Sequence, residues 1–143
     1  MMRFLCFTLT LVGVALVPIR AADEKETLNG TWSVVKAEED GKNATELLKA
    51  RFTFKDGDKL SIKMPNETKP LEVSVKIDAT KKPKQVDFTR VEDGRAETAL
   101  GIYELDGDKL KLCVAEPEVK ERPTEFKSKS RKISALELTR DKP

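Results

Sequence analysis

No histidine occurs in the 143-residue chain. That absence excludes Ser-His-Asp and Cys-His catalysis, and with them the zinc and iron sites built on imidazole. No glycine-rich phosphate loop of either standard spacing is present, so the usual backbone cradle for a nucleotide is missing. Cysteine is scarce: Cys6 lies in the first apolar run and Cys113 is the other. Cys113 alone cannot form an intramolecular disulfide, and its place in an apolar, alternating run predicts a buried, inert thiol. Tryptophan and tyrosine occur once each, as Trp32 and Tyr103. Runs of one charge are lacking too; Lys and Glu are interspersed, the pattern of a solvated surface.

The apolar run Phe4–Val17 is shorter than the roughly 20 residues a membrane-spanning helix needs. It follows Met1-Met2-Arg3 and is broken by Pro18, and Ala21-Ala22 offers a small-residue cleavage site. Residues 1–22 thus read as a secretory signal peptide and 23–143 as the mature domain, exported to the periplasm or secreted. An uncleaved anchor is the alternative, whereas cleavage leaves no transmembrane segment. Cys6 falls too early to be a lipid-attachment cysteine. The whole chain has 27 Lys+Arg against 25 Asp+Glu, and losing Arg3 and Arg20 leaves 25 of each. The basic excess belongs to the leader, so no nucleic-acid partner is implied. About 120 residues remain, enough for one core.

Their periodicity is two almost throughout. Phe52 and Phe54 share a face, as do Leu60, Ile62 and Met64. Leu71, Val73, Val75 and Ile77 give the cleanest alternation, and Leu110, Leu112 and Val114 repeat it. Trp32, Val34 and, less cleanly, Val35 follow the same rule, as do Val86 and Phe88, and Ile133, Leu136 and Leu138; Val91 falls out of phase. Such segments are half-buried antiparallel strands. Asn43–Ala50 alone looks helical, about two turns long with Asn43 or Thr45 as N-cap. About eight strands and one short helix, without βαβ alternation, predict an all-β fold. A small antiparallel up-and-down barrel is favoured over a sandwich because closure removes exposed edges.

The letters DGDKL occur twice, at Asp56–Leu60 and Asp106–Leu110. Each lies between alternating runs, where Gly57 and Gly107 supply the positive φ of a hairpin turn. Two carboxylates per loop fall short of the six to eight oxygens of a calcium site. The flanking patterns differ, however. A two-residue loop at Asp106-Gly107 sets Tyr103 opposite Leu110, whereas the same loop at Asp56-Gly57 sets Phe54 opposite Lys59. The first hairpin is therefore expected to carry a three-residue loop or bulge.

Few constellations carry chemistry. Glu104, Asp106, Glu116, Glu118 and Glu121 are the carboxylates available for acid–base work, but in a chain that is 36% charged such clusters arise without purpose. No catalytic residue, metal or cofactor is assigned. Sequons stand at Asn29, Asn43 and Asn66. Arg122 and Phe126, in "EVKERPTEF", are candidates to receive an acidic ligand group and to wall the barrel mouth. The alternative pairs Arg122 with an internal carboxylate and makes Phe126 a plug. "TKKPK" (Thr80–Lys84) reads as a cationic lip or, more simply, a solvated turn.

Gly30-Thr31-Trp32 opens the first strand and Arg140 ends the last. In a closed barrel these strands are neighbours, which lets Arg140 lie over Trp32. The arrangement resembles the lipocalin superfamily, with its early Gly-x-Trp and late Arg; the implied role of Gly30, Trp32 and Arg140 is structural. "LNGTWSVVKAEEDGK", "RFTFKDGDKL", "KIDATKKPKQVDFT", "GIYELDGDKLKLCVAE" and "RPTEF", in this order, resemble a lipocalin-like domain family found in exported proteins of planctomycete bacteria. That resemblance implies a secreted or periplasmic barrel and brings no catalytic residues.

The expected function is a non-enzymatic module holding a small apolar or amphipathic ligand, with Phe52, Phe54 and Tyr103 joining Arg122 and Phe126 as candidate contacts. An eight-stranded barrel either encloses one such ligand or is filled by its own side chains. The second case gives a structural module that meets another protein of the cell envelope.

Overall fold

The computed structural model describes residues 21–142, so most of the expected leader lies outside the described residues. A short helix, α1 (Ala21–Leu28), precedes strands β1 (Gly30–Glu39), β2 (Lys42–Asn43), β3 (Arg51–Lys55), β4 (Lys59–Lys63) and β5 (Leu71–Asp78). Strands β6 (Lys84–Glu92), β7 (Arg95–Asp106), β8 (Lys109–Ala115) and β9 (Ile133–Arg140) follow. Each strand pairs antiparallel with the next around the sheet, and β1 pairs with both β3 and β9. The result is a closed, eight-stranded up-and-down barrel, to which β2 adds two residues beside the end of β1. Closure satisfies the edge backbone groups that an open sheet would present.

Alternation places the apolar set inside. Trp32, Phe52, Phe54, Leu60, Val75, Ile77, Val86, Tyr103, Leu110, Leu112 and Leu138 belong to one buried core. Val35 breaks the pattern for a local reason. The β1–β9 register slips between Val34 and Lys36, so Val34 and Ala37 are buried while Val35 stands exposed. Val91 is different: β6 keeps its phase, Val91 faces outward, and Arg90 takes the inward position.

Residues 43–50 do not form the expected two-turn helix. Asn43 pairs with Glu38 in β2, and only a 3-10 turn forms at Thr45–Leu47, with Ala44 at its cap and no side-chain capping bond. The backbone finds its partners on β1 instead. Ala44 N–H donates to the Ala37 carbonyl (2.9 Å), Lys49 N–H to that of Val34 (3.1 Å), and Val34 N–H to that of Ala50 (3.0 Å). Tertiary hydrogen bonds override a modest helical propensity.

The two DGDKL hairpins differ as their flanking patterns require. In the first, Lys55 faces Lys59 across the three-residue loop Asp56–Gly57–Asp58. In the second, Asp106 faces Lys109 across two residues. Those two are Gly107 and Asp108 rather than Asp106 and Gly107, so Leu105 faces Leu110 and Tyr103 faces Leu112. This register gives both Leu105 and Tyr103 apolar partners, whereas the other sets Leu105 against Asp108.

Residues 116–132 cross the outside of the barrel. Ile102, Cys113 and Ala115 alternate outward yet are almost wholly buried, because this segment covers them. Cys113 Sγ contacts the Lys127 carbonyl at 3.7 Å, and burial pushes its thiol above the usual range.

Candidate functional site

The barrel has one closed end, where α1 meets the β3–β4 turn and the start of β6 and Arg140 links it to the β7–β8 turn. Trp32 is fully buried there and its indole N–H donates to the Leu28 carbonyl at 2.9 Å. The Arg140 guanidinium lies 4.2 Å from the indole ring and donates to the carbonyls of Asn29 (2.7 Å) and Thr27 (2.5 Å) and to Asp108 Oδ1 (3.2 Å). Gly30 leaves room for this: its φ is +125°, and a Cβ there would stand 2.9 Å from Arg140 Nη1. Gly57 has a matching role at the first DGDKL loop, where a Cβ would fall 2.6 Å from Lys25 Cβ of α1. Gly107 serves its turn alone, with open space around it.

Tyr103 sits beneath α1 at this end. Its hydroxyl is buried without a hydrogen bond of good geometry, and desolvation, reinforced by the Glu24 carboxylate, pushes the phenol well above its usual range. Glu24 is itself buried and ion-paired with Lys84.

The other end is open, and the strand registers explain how. The β5–β6 ladder runs from Asp78–Gln85 to Ser74–Thr89 and stops there, while β6–β7 continues to Glu92–Arg95. Beyond Ser74 the two strands part, with Leu71 and Val73 on one side of the gap and Arg90 on the other. A cavity of about 300 Å³ lies behind it, at the lower bound of small-molecule sites. Phe52, Leu60, Ile62, Val73, Phe88, Ala99, Val114 and Leu136 wall it, with Leu71 and Pro117 near the mouth. Arg90 and Glu97 are its charged lining residues. They are cross-strand partners 3.5 Å apart, and Arg90 also reaches Glu92 at 3.0 Å.

The expected ligand contacts are not gathered in one place. Phe52 lines the cavity, but Phe54 is packed into the core and Tyr103 lies at the closed end. Arg122 is on the outer face of the sheet rather than at the mouth. It pairs with Asp87 at 2.8 Å and donates to the carbonyls of Gly101 (2.8 Å) and Val86 (3.2 Å), strapping residues 116–132 to β6 and β7. Phe126 is half-buried on the outside, where it and Tyr103, alone of the five, line a groove together, beside Lys81, Lys82 and Lys84. Sequence reasoning missed Arg90, Glu97 and Ala99. The available signal was the phase of β6, which makes Arg90 inward if Phe88 is inward.

The acidic residues weighed for acid–base work lie outside the cavity. Glu116 and Glu118 are exposed neighbours; a hydrogen bond to the Glu118 carboxylate raises Glu116, while Lys132, 3.0 Å from Glu118, lowers Glu118. Among the described residues, no His/Cys/Asp/Glu group is arranged to hold a metal ion, and no helix is long and apolar enough to cross a membrane. No family model, curated protein or solved structure matches this chain.

Proposed function

We propose that this chain is an exported, non-catalytic binding module that holds one small apolar or amphipathic ligand in the barrel cavity. The observation that carries the reading is the cavity itself, apolar-walled and reached through the gap between β5 and β6. Apolar walls that face no packing partner forgo dispersion contacts, and an apolar ligand body supplies them. The carboxylates that catalysis would need are spread over the outside, and the cavity's one acidic residue, Glu97, is bound to Arg90. The leader-like start of the sequence supports export. The Trp32–Arg140 stack supports the lipocalin-like resemblance.

A second reading, a structural module for an envelope partner, draws on the closed half, which Trp32, Phe54, Leu110 and Leu138 pack solidly. It predicts one stoichiometric protein that co-purifies. The experiment for the leading reading is a native mass spectrum of protein taken without detergent from its own exported fraction. A mass excess that vanishes on denaturation is expected; a bare chain accompanied by a stoichiometric protein partner contradicts it.

A further inference from the structure

We infer that the ligand is a neutral amphiphile, with an apolar body of about ten non-hydrogen atoms and a hydroxyl or amide head seated against the Arg90–Glu97 pair. The inference rests on the reading of the cavity as a ligand site and adds the chemistry of its occupant.

Size follows from the cavity of about 300 Å³. At about 30 Å³ per non-hydrogen atom, the share a water takes in the liquid, that space admits roughly ten atoms. The walls away from β6 and β7 are hydrocarbon, so the inserted body is apolar. Polarity is confined to one side, where Arg90 and Glu97 stand opposite each other at the mouth.

The head follows from the charges. Arg90 and Glu97 are one of each sign and already in contact, and the next pair on the same face, Glu92 and Arg95, is balanced too. An anionic head placed here meets Glu97 as well as Arg90, and a cationic head meets Arg90 as well as Glu97. Either ion gains one attraction, meets one repulsion and loses its hydration. A neutral head avoids that cost. Both acidic contacts of Arg90 fall on Nη2, so its Nε and Nη1 hydrogens make no bond among the described residues. A hydroxyl or amide accepts from those hydrogens and donates to the Glu97 carboxylate, using both charged partners without separating them.

The test titrates the purified chain by calorimetry with three probes that share a ten-carbon chain: monodecanoylglycerol, decanoate and decyltrimethylammonium, each below its aggregation threshold. Monodecanoylglycerol is expected to bind at least tenfold more tightly than either ion. Glu97→Gln, a change at a half-exposed position, is expected to shift preference toward decanoate at least fivefold by removing the carboxylate that repels it and leaving Arg90 with Glu92 alone. Ala99→Trp, which fills the cavity, is expected to abolish binding of all three. Equal or tighter binding of an ion to the wild type, still abolished by Ala99→Trp, overturns the neutral head and leaves the cavity reading standing. No binding of any probe to chain shown to be folded, or binding that Ala99→Trp leaves unchanged, overturns both.

Discussion

Arg140 lies 4.2 Å from the Trp32 ring, and this one contact joins the last strand to the first and both to the helix that precedes them. The guanidinium covers the indole while donating to the carbonyls of Asn29 and Thr27, so the barrel seam and the α1 connection share a lock. Arg140→Ala is expected to cost about 2–4 kcal/mol in urea unfolding, combining a desolvated cation–π contact with charge-assisted hydrogen bonds. Arg140→Lys is expected to recover less than half, because a single ammonium cannot reproduce the planar fork. Equal stability of wild type and Arg140→Ala would sink this account of the closed end.

The two DGDKL loops give a matched comparison. Gly57 and Gly107 both have positive φ, but Gly57 faces Lys25 of α1 while Gly107 faces open space. Gly107→Ala is expected to cost about 1–2 kcal/mol, the conformational penalty alone. Gly57→Ala should cost clearly more, since α1 must move as well. Thermal unfolding of the two variants decides it, and equal losses would remove the helix contact from the explanation.

Tyr103 predicts a response at high pH. Its phenol titrates well above the ordinary value of about 10 in the folded protein, so between the two values the folded state holds a proton that the unfolded chain has lost. Stability is thus retained below about pH 10 and falls as pH rises past it, by up to about 1.4 kcal/mol per unit. Tyr103→Phe should remove this part of the alkaline loss. At neutral pH it is expected to be nearly neutral or stabilising, because it deletes a buried hydroxyl without a good partner. Unfolding curves from pH 7 to 11 for both proteins test the sign.

Cys113 is fully buried under residues 116–132, and burial raises its thiol. A disulfide reagent at pH 8 is expected to label the native chain at least a hundredfold more slowly than the urea-unfolded chain. Comparable rates would mean that the covering segment opens freely.

The barrel was legible because its strands alternate so regularly: Leu71 to Ile77 and Leu110 to Val114 declare their inner faces one residue at a time. The difference between the two hairpins was legible for the same reason, since Phe54 and Leu105 stand at different distances from their turns. The site was less so. Arg122 could be read as a ligand group or as a carboxylate's partner because a sequence does not say which face of a sheet a long loop will cross; it pairs with Asp87 and binds strand carbonyls outside. Arg90 follows Val86 and Phe88 in phase, but a charged side chain does not declare itself as an inward residue, so the alternation was not carried on to it. The cavity itself arises from the point where one ladder stops and its neighbour continues, a property of paired registers that no single strand carries. The leader and its cleavage site fall largely outside the described residues.

The central claim is that the cavity behind Leu71, Val73 and Arg90 holds the ligand. Native mass spectrometry of the purified chain titrated with monodecanoylglycerol tests it most directly, with Ala99→Trp as the blocked control. The wild type is expected to carry one molecule and no more, and Ala99→Trp, with an unchanged circular dichroism spectrum, none. Equal occupancy in the two proteins would contradict the account.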